Sequence, residues 1–500
     1  MSVQAPPRRA TFRDVFAVRE FRALWFSEIL SVAGDRLALV ALTLLVFDRT
    51  KSPLLAAIVY AMGYLPWVIG GLFLADLADR YPRRSVMMVC DSARAVLIAA
   101  MVVPRVPLLA LVALLFAATT LTPPFESARA AITPDILQGE LYVLGVAVTQ
   151  TTLLAAQVAG AVGGGVVVAF LGVRHSLAID AATFVLSALL IGLGTRARSA
   201  AAPESVQSAP WTRIREGFRL VFGDRALRTL LLFGWLVAFY AVPEGVAIPY
   251  TAKLGGGPIA VGLVLGSTAL ATMIATPLFT RFVHPRQRLA LMGPLATATC
   301  AALVLTTFRP GFVVSLVIFS LSAAFGSYQI AANTAFVVRV PKERRSQAFS
   351  IANLGVVAGQ GAGFVAAGAA TEILAPAAVI AIGGGIGAIA AFILALRWRQ
   401  VSPAAGRHAA PRTIADAVDL RQQKARKIAP SAIGLLTATV RLLPAGHRNR
   451  YHQEYRSELV DLAQAGAGRI GQLRYAFRQL RSAPQMRFTL RSPRRKGATP

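Results

Sequence analysis

Gly70-Gly71-Leu72-Phe73-Leu74-Ala75-Asp76-Leu77-Ala78-Asp79-Arg80-Tyr81-Pro82-Arg83-Arg84 is the place where a long apolar run breaks into charge. A bilayer core of roughly 30 Å takes about 20 apolar residues, and Pro53 to Leu74 supplies that length directly before the charges. The stretch therefore reads as the end of a membrane span followed by a basic loop, and basic loops stay in the cytoplasm.

Working outward, twelve such runs can be drawn, from Phe21 to Phe47 at one end to Ala377 to Leu396 at the other. With the amino terminus inside, the cytoplasmic segments carry Arg8, Arg9, Arg13, Arg19 and Arg22, then Arg80, Arg83 and Arg84, and finally Arg339, Lys342, Arg344 and Arg345. The outside loops hold only Arg49, Lys51, Arg105, Arg174, Lys253 and Arg309, so both termini are expected in the cytoplasm. No cleavable signal peptide is expected, because the amino-terminal segment is charged and Pro-rich.

Composition agrees, with 55% hydrophobic and 15% charged residues. A soluble domain carries about 25% charge. The net charge of +29 would suit a nucleic-acid binder, but the basic residues punctuate apolar runs instead of forming one face, so no nucleic acid is expected. Cys90 and Cys300 lie far apart in or beside apolar runs, which gives neither a metal spacing nor a disulfide framework. No P-loop and no nucleophile–base constellation is present, so neither enzyme nor ATP-driven pump is expected.

The chain repeats itself. Leu77-Ala78-Asp79-Arg80-Tyr81 after the second span is echoed by Leu278-Phe279-Thr280-Arg281-Phe282 after the eighth, and Arg22-Ala23-Leu24 by Arg225-Ala226-Leu227. Two such halves around a midplane site are what a rocking transporter requires. The expected fold is an all-α membrane protein with twelve transmembrane helices in two six-helix bundles and a helical cytoplasmic tail. Its segments are 1–19, an amino-terminal bundle over 20–195, a central loop over 196–226, a carboxyl-terminal bundle over 227–398 and the tail over 399–500. Small residues at helical spacing, Gly160 and Gly164 in span five and Gly355, Gly359 and Gly363 in span eleven, mark close helix packing, either static or as a surface on which the halves slide.

The opening stretch resembles motif A of the major facilitator superfamily, GxLADRxGRK, with Leu77, Ala78, Asp79, Arg80, Arg83 and Arg84 matching, and Ala75 and Pro82 standing where the motif has Gly. Asp79 is placed to meet the positive end of a helix from the other half, and the arginines to anchor the loop at an anionic surface. Phe21-Arg22-Ala23-Leu24-Trp25, Gly34-Asp35-Arg36-Leu37, Thr50-Lys51-Ser52-Pro53, Ser127-Ala128-Arg129 with Thr133-Pro134-Asp135, and Ile179-Asp180-Ala181-Ala182-Thr183-Phe184 resemble the macrolide-efflux and enterobactin-export branch of that superfamily. The resemblance covers about residues 15 to 398 and implies a secondary exporter driven by the proton gradient. Span five shows Gly160-Ala161-Val162-Gly163-Gly164-Gly165 in place of the antiporter pattern GPxxGG, with Ala for Pro.

Charges inside the spans each need a partner or a purpose. Asp35 and Glu244 are the proton-coupling candidates, because spans one and seven are pseudo-equivalent and line the cavity in the family that the chain resembles. Asp91 and Arg94, at i and i+3, can pair on one helix face. Glu126 and Arg129 have the same spacing and, with Asp180, form the supporting charges. Substrate-cavity candidates are Tyr64, Trp67, Gln150, Gln157, Trp235, Phe239, Tyr240, Tyr328, Gln329 and Asn333, polar or aromatic residues in apolar spans.

In the tail, Tyr451, Tyr455, Leu459 and Leu462, and again Ile470, Leu473, Phe477 and Leu480, recur at helical spacing opposite Arg-rich faces, which predicts a helix pair lying on anionic lipid. The expected function is proton-coupled efflux of small lipophilic molecules, a macrolide-like drug or a siderophore, across a bacterial plasma membrane by a monomer without cofactor or metal. Uptake of a metabolite by the same fold is the alternative, with a membrane receptor or enzyme as the reading from another class.

Overall fold

The computed structural model describes residues 11–66, 70, 80–198, 210–341, 344–408, 430–441, 444, 448, 451, 455, 458, 459 and 469–491. Regular structure among them is helical. The chain forms two compact units, Met1–Arg407 and His408–Pro500.

The first unit opens with α1 (Phe12–Ala17), α2 (Arg19–Thr50) and α3 (Pro53–Ala61), followed by α4 (Arg83–Val102), α5 (Leu108–Thr120), α6 (Thr122–Ile136) and α7 (Glu140–Gly194). Local chemistry sets these ends. Lys51 turns left-handed (φ 56°) to stop α2, and the Ser52 side chain then accepts from Leu55 N–H while Pro53 takes the first helical position of α3. Helix α7 has 55 residues, a length of ~80 Å that far exceeds a bilayer core. It breaks at Gly172, whose φ of 77° and ψ of 170° only glycine adopts without strain. The break separates the two runs that the sequence marks as different spans.

After α8 (Pro210–Gly223), residues 225–253 do not form one continuous helix. They form α9 (Arg225–Trp235), α10 (Val237–Tyr240), α11 (Val242–Gly245) and α12 (Ala247–Lys253), with Asp224 capping α9 through Ala226 N–H and Leu227 N–H and Pro243 entering α11. Next come α13 (Pro258–Phe282), α14 (Pro285–Val304), a 3₁₀ turn at Leu305–Phe308, α15 (Phe312–Phe325), α16 (Tyr328–Arg339), α17 (Arg345–Thr371) and α18 (Pro376–His408). Ten helices among the described residues are long and apolar enough to cross a membrane. Apolar side chains such as Leu109, Phe170 and Ile373 point outward, as lipid contact requires.

The halves join most extensively where α3 packs on α17 and α7 on α13, while α11 and α12 also touch α3, and α12 and α13 touch α2. Glycine permits both close approaches. A Cβ on Gly165 would lie 2.5 Å from the Pro258 carbonyl oxygen, and one on Gly262 would lie 2.7 Å from that of Ala161. The glycines singled out by spacing are placed differently. Gly160 and Gly164 face Ala33 and Leu37 of α2, and Gly355 and Gly363 face Trp235 and Ala238, all contacts within one half. Close approach between the halves falls instead at Gly165, one residue further on, and at Gly368 of α17, where a Cβ would lie 3.1 Å from the Pro53 carbonyl oxygen.

The second unit contains α19 (Pro430–Arg441) and α20 (Arg469–Arg491). Ala432, Leu436, Val440, Tyr455, Leu459 and Ala476 form its core. Tyr455 and Leu459 are buried as their spacing predicts and Leu473 packs on the same core, but Phe477 turns outward. Gln472, Ala476 and Ala483 are buried while Phe477 is 60% exposed, because small side chains let α20 approach its neighbours closely. The side chains of Leu462 and Ile470 lie outside the described residues.

Candidate transport site

A cavity of about 350 Å³ lies between the halves. The first half lines it with Arg36, Leu39 and Val40 of α2, Tyr60 of α3, Tyr64, and Gln157 and Ala161 of α7; the second half supplies Tyr240, Glu244, Leu265, Thr268, Phe319, Gln329 and Gln360. One cation and one anion face a mainly apolar and aromatic wall, which is the make-up of a small-molecule site.

Arg36 donates to the Tyr64 hydroxyl at 3.0 Å and to Gln157 Oε1 at 2.9 Å. The Tyr60 hydroxyl donates to Glu244 Oε2 at 3.2 Å, crossing from the first half to the second. Phe364 of α17 packs edge-on against both tyrosine rings, with centroids 5.1 Å and 5.3 Å away. Gln329 holds Tyr240 Oη at 3.1 Å and the Gly234 carbonyl at the same distance. Glu244 sits on the four-residue α11, in the broken stretch of backbone. Broken helices at membrane depth are tolerated where they line a cavity.

Asp35 lies one residue before Arg36 but does not line the cavity. Successive helix positions point about 100° apart, and Asp35 turns into the first half, where both its oxygens accept from Arg94 Nη2 at 2.6 Å. Arg94 also reaches Ser31 Oγ at 3.2 Å and Asp91 at 3.6 Å, and its guanidinium stacks over Phe184 at 4.0 Å. Thus Asp91 does pair with Arg94, while the shorter contact goes to Asp35. Ser187 donates to Asp91 at 2.5 Å, and Asp180 is fully buried beside Thr183.

Arg129 bridges Glu126 at 2.5 Å and Glu28 at 2.8 Å. Asp79 lies outside the described residues. Arg83 pairs with Asp135 at 2.7 Å and Arg84 donates to the Gly192 carbonyl, so both brace the first half; Arg80 is exposed. Of the substrate candidates, Tyr64, Gln157, Tyr240 and Gln329 line the cavity. Gln150 and Asn333 are exposed, Trp235 donates to the Ala352 carbonyl, the buried Tyr328 donates to the Phe233 carbonyl, and Trp67 lies outside the described residues.

A further contact joins the halves at the end of the bundle that holds the α2–α3 turn. Glu372, just past α17, accepts from Ser52 Oγ at 2.5 Å and from Leu54 N–H at 3.0 Å, so it caps α3 from the opposite half. The Ser52 hydroxyl first, and the Leu54 amide second, hold its carboxyl below the usual carboxylate range.

The sequence profile of the Major Facilitator Superfamily matches residues 24–341 and 245–466. The chain belongs to that superfamily. It is 26% identical over 310 residues to the multidrug efflux pump Tap of Mycolicibacterium fortuitum, covering 59% of this chain and 74% of the relative. It is 20% identical over 343 residues to macrolide efflux protein A of Streptococcus pyogenes, covering 66% and 84%. In fold it matches the POT family transporter PepTSo with a TM-score of 0.59 at 13% identity, covering 77% of this chain and 98% of that one. A bacterial homologue of the iron transporter ferroportin in an inward-facing state matches with a TM-score of 0.57 at 16% identity, covering 76% and 98%. As a major facilitator transporter, the chain has its candidate site where its two halves meet.

Proposed function

We propose that this transporter exports small lipophilic molecules in exchange for protons, with Glu244 as the carboxylate that couples the two. The observation that carries this reading is the Tyr60–Glu244 hydrogen bond, made inside the shared cavity by residues of opposite halves. A carboxylate in a water-poor cavity is costly as an anion unless partnered. Adding a proton to Glu244 removes its charge and weakens its hold on the Tyr60 hydroxyl, so proton binding loosens a contact between the halves. Aromatic walls and the dispersed polar groups Gln157, Gln329 and Thr268 suit a lipophilic substrate. The names of the Tap and macrolide-efflux relatives support export and drug-like cargo.

The twelve spans are read from the helices and the sequence together. Counting α7 twice at Gly172 raises the ten apolar helices to eleven, and α3 together with the sequence up to Arg80 supplies a twelfth. The basic loops then place both termini in the cytoplasm of a bacterial plasma membrane, with the Glu372–Ser52 contact on the outer side. The transporter acts as a monomer, and its tail rests on anionic lipid.

Inverted membrane vesicles, energised and given a macrolide-like probe, test the reading. Accumulation that collapses with a protonophore supports it; accumulation that survives gradient collapse overturns it.

A further inference from the structure

Apart from the cavity, the first half contains a second charge cluster, none of whose residues lines that cavity. Asp35 of α2, Asp91 of α4 and Asp180 of α7 surround the single guanidinium of Arg94. Three carboxylates and one guanidinium leave two negative charges uncompensated if all are ionised. The neighbouring group offers no relief, since Arg129 is already shared between Glu28 and Glu126. Cys90, on α4 beside Asp91, is uncharged as a thiol, and Ser31, Thr183 and Ser187 are neutral hydroxyls.

The three acids are not equivalent. Asp35 and Asp91 lie within ion-pair distance of Arg94. Asp180 has no such partner at that distance among the described residues. Its Oδ1 accepts only from Thr183 Oγ1 at 3.3 Å, a hydroxyl that also points at the Asp180 carbonyl at 2.7 Å, and its Oδ2 is buried without a hydrogen-bond partner. A lone buried anion is the least tolerable state of a carboxyl in hydrocarbon. Asp180 packs directly on Gly34, the residue before Asp35, where a side chain would collide with its carboxyl. The Asp35 side chain is 36% exposed, so the glycine on which Asp180 packs is followed directly by an acid that is open to its surroundings.

We propose that Asp180 is a proton-binding site of its own, the inner end of a two-carboxyl relay whose outer end is Asp35. This rests on the reading of the chain as a proton-driven transporter but does not involve Glu244. Asp180 holds the proton as a neutral carboxylic acid. Proton uptake runs from outside the cluster to the Asp35 carboxylate and on to the Asp180 carboxylate, which leaves Asp180 neutral and Asp35 again paired with Arg94; release runs the same path in reverse.

Infrared difference spectroscopy of the full chain in lipid nanodiscs across a pH range tests this directly. Wild type is expected to show a protonated-carboxyl band at neutral pH that Asp180→Asn removes, with the melting temperature unchanged or raised, because the amide mimics the neutral acid. Asp35→Asn is expected to keep the band but shift the pH at which it disappears, and Glu244→Gln is expected to leave it alone. A band unchanged by Asp180→Asn overturns the proposal, as does a variant that unfolds, which would mean that Asp180 works as an anion. Stabilisation by sodium in place of a protonated band would also overturn it, by making the cluster a metal-cation site. Because none of these readouts measures transport, failure of the Glu244 reading would not be mistaken for failure here.

Discussion

Tyr60 and Glu244 come from opposite halves of the chain and meet at 3.2 Å inside a cavity that both halves line. Removing the hydroxyl with Tyr60→Phe keeps the ring packed on Phe364 while deleting the bond. A hydrogen bond of about 1 kcal/mol corresponds to roughly a fivefold change, so efflux should fall about that much with membrane insertion intact, as measured by substrate flux in vesicles.

Arg94 is the sole guanidinium among three carboxylates. Replacing it with Leu leaves buried anions unpaired and should cost about 3–5 kcal/mol, seen as a large drop in melting temperature in detergent. Arg94→Lys keeps the charge but loses the paired contacts to Ser31, Asp35 and Asp91, and should fall between the two.

These charges were partly legible in the sequence. Asp35, Glu244 and Asp180 stand out because a carboxylate in an apolar run always needs a reason. Their pairings were harder to read: Arg36 adjoins Asp35 in sequence, but helix geometry sends it to the cavity, while Asp35 finds Arg94. Tyr60 and Gln360 carried no signal, since an aromatic or amide side chain in a span looks the same facing lipid, a neighbour or a cavity. The Glu372–Ser52 contact joins positions 320 residues apart, and nothing local announces it. One tail residue departs for a related reason: Phe477 shares the helical spacing of Leu473, but burial of Ala476 and Ala483 leaves it exposed.

Gly165 lets α7 touch α13. Gly165→Val should prop that end of the halves apart, so that a Thr268→Cys reporter in the cavity reacts faster with an impermeant maleimide added outside. Labelling equal to that of the Gly165 parent would show that the contact does not close the cavity.

The Glu372 contact should respond to external pH. Because Ser52 and Leu54 N–H stabilise its carboxylate and hold its pKa below the ordinary range, the latch is fully present above that range and is lost as pH falls through the lowered value. The same Thr268→Cys reporter should label faster in acid, and Glu372→Gln should label quickly at every pH.

On α20, Arg474, Phe477, Arg478 and Arg481 share one exposed face. A fluorophore at Phe477→Cys in nanodiscs should shift its emission when anionic lipid is included, and should lose that shift in high salt or when the three arginines become Ser.

Proton counter-movement is the most direct test of the role given to Glu244. In proteoliposomes, wild type should acidify or alkalinise the lumen in step with substrate flux. Glu244→Gln should still exchange substrate across the membrane but neither move protons nor accumulate substrate against a gradient. Proton-coupled accumulation that persists in Glu244→Gln would contradict that role.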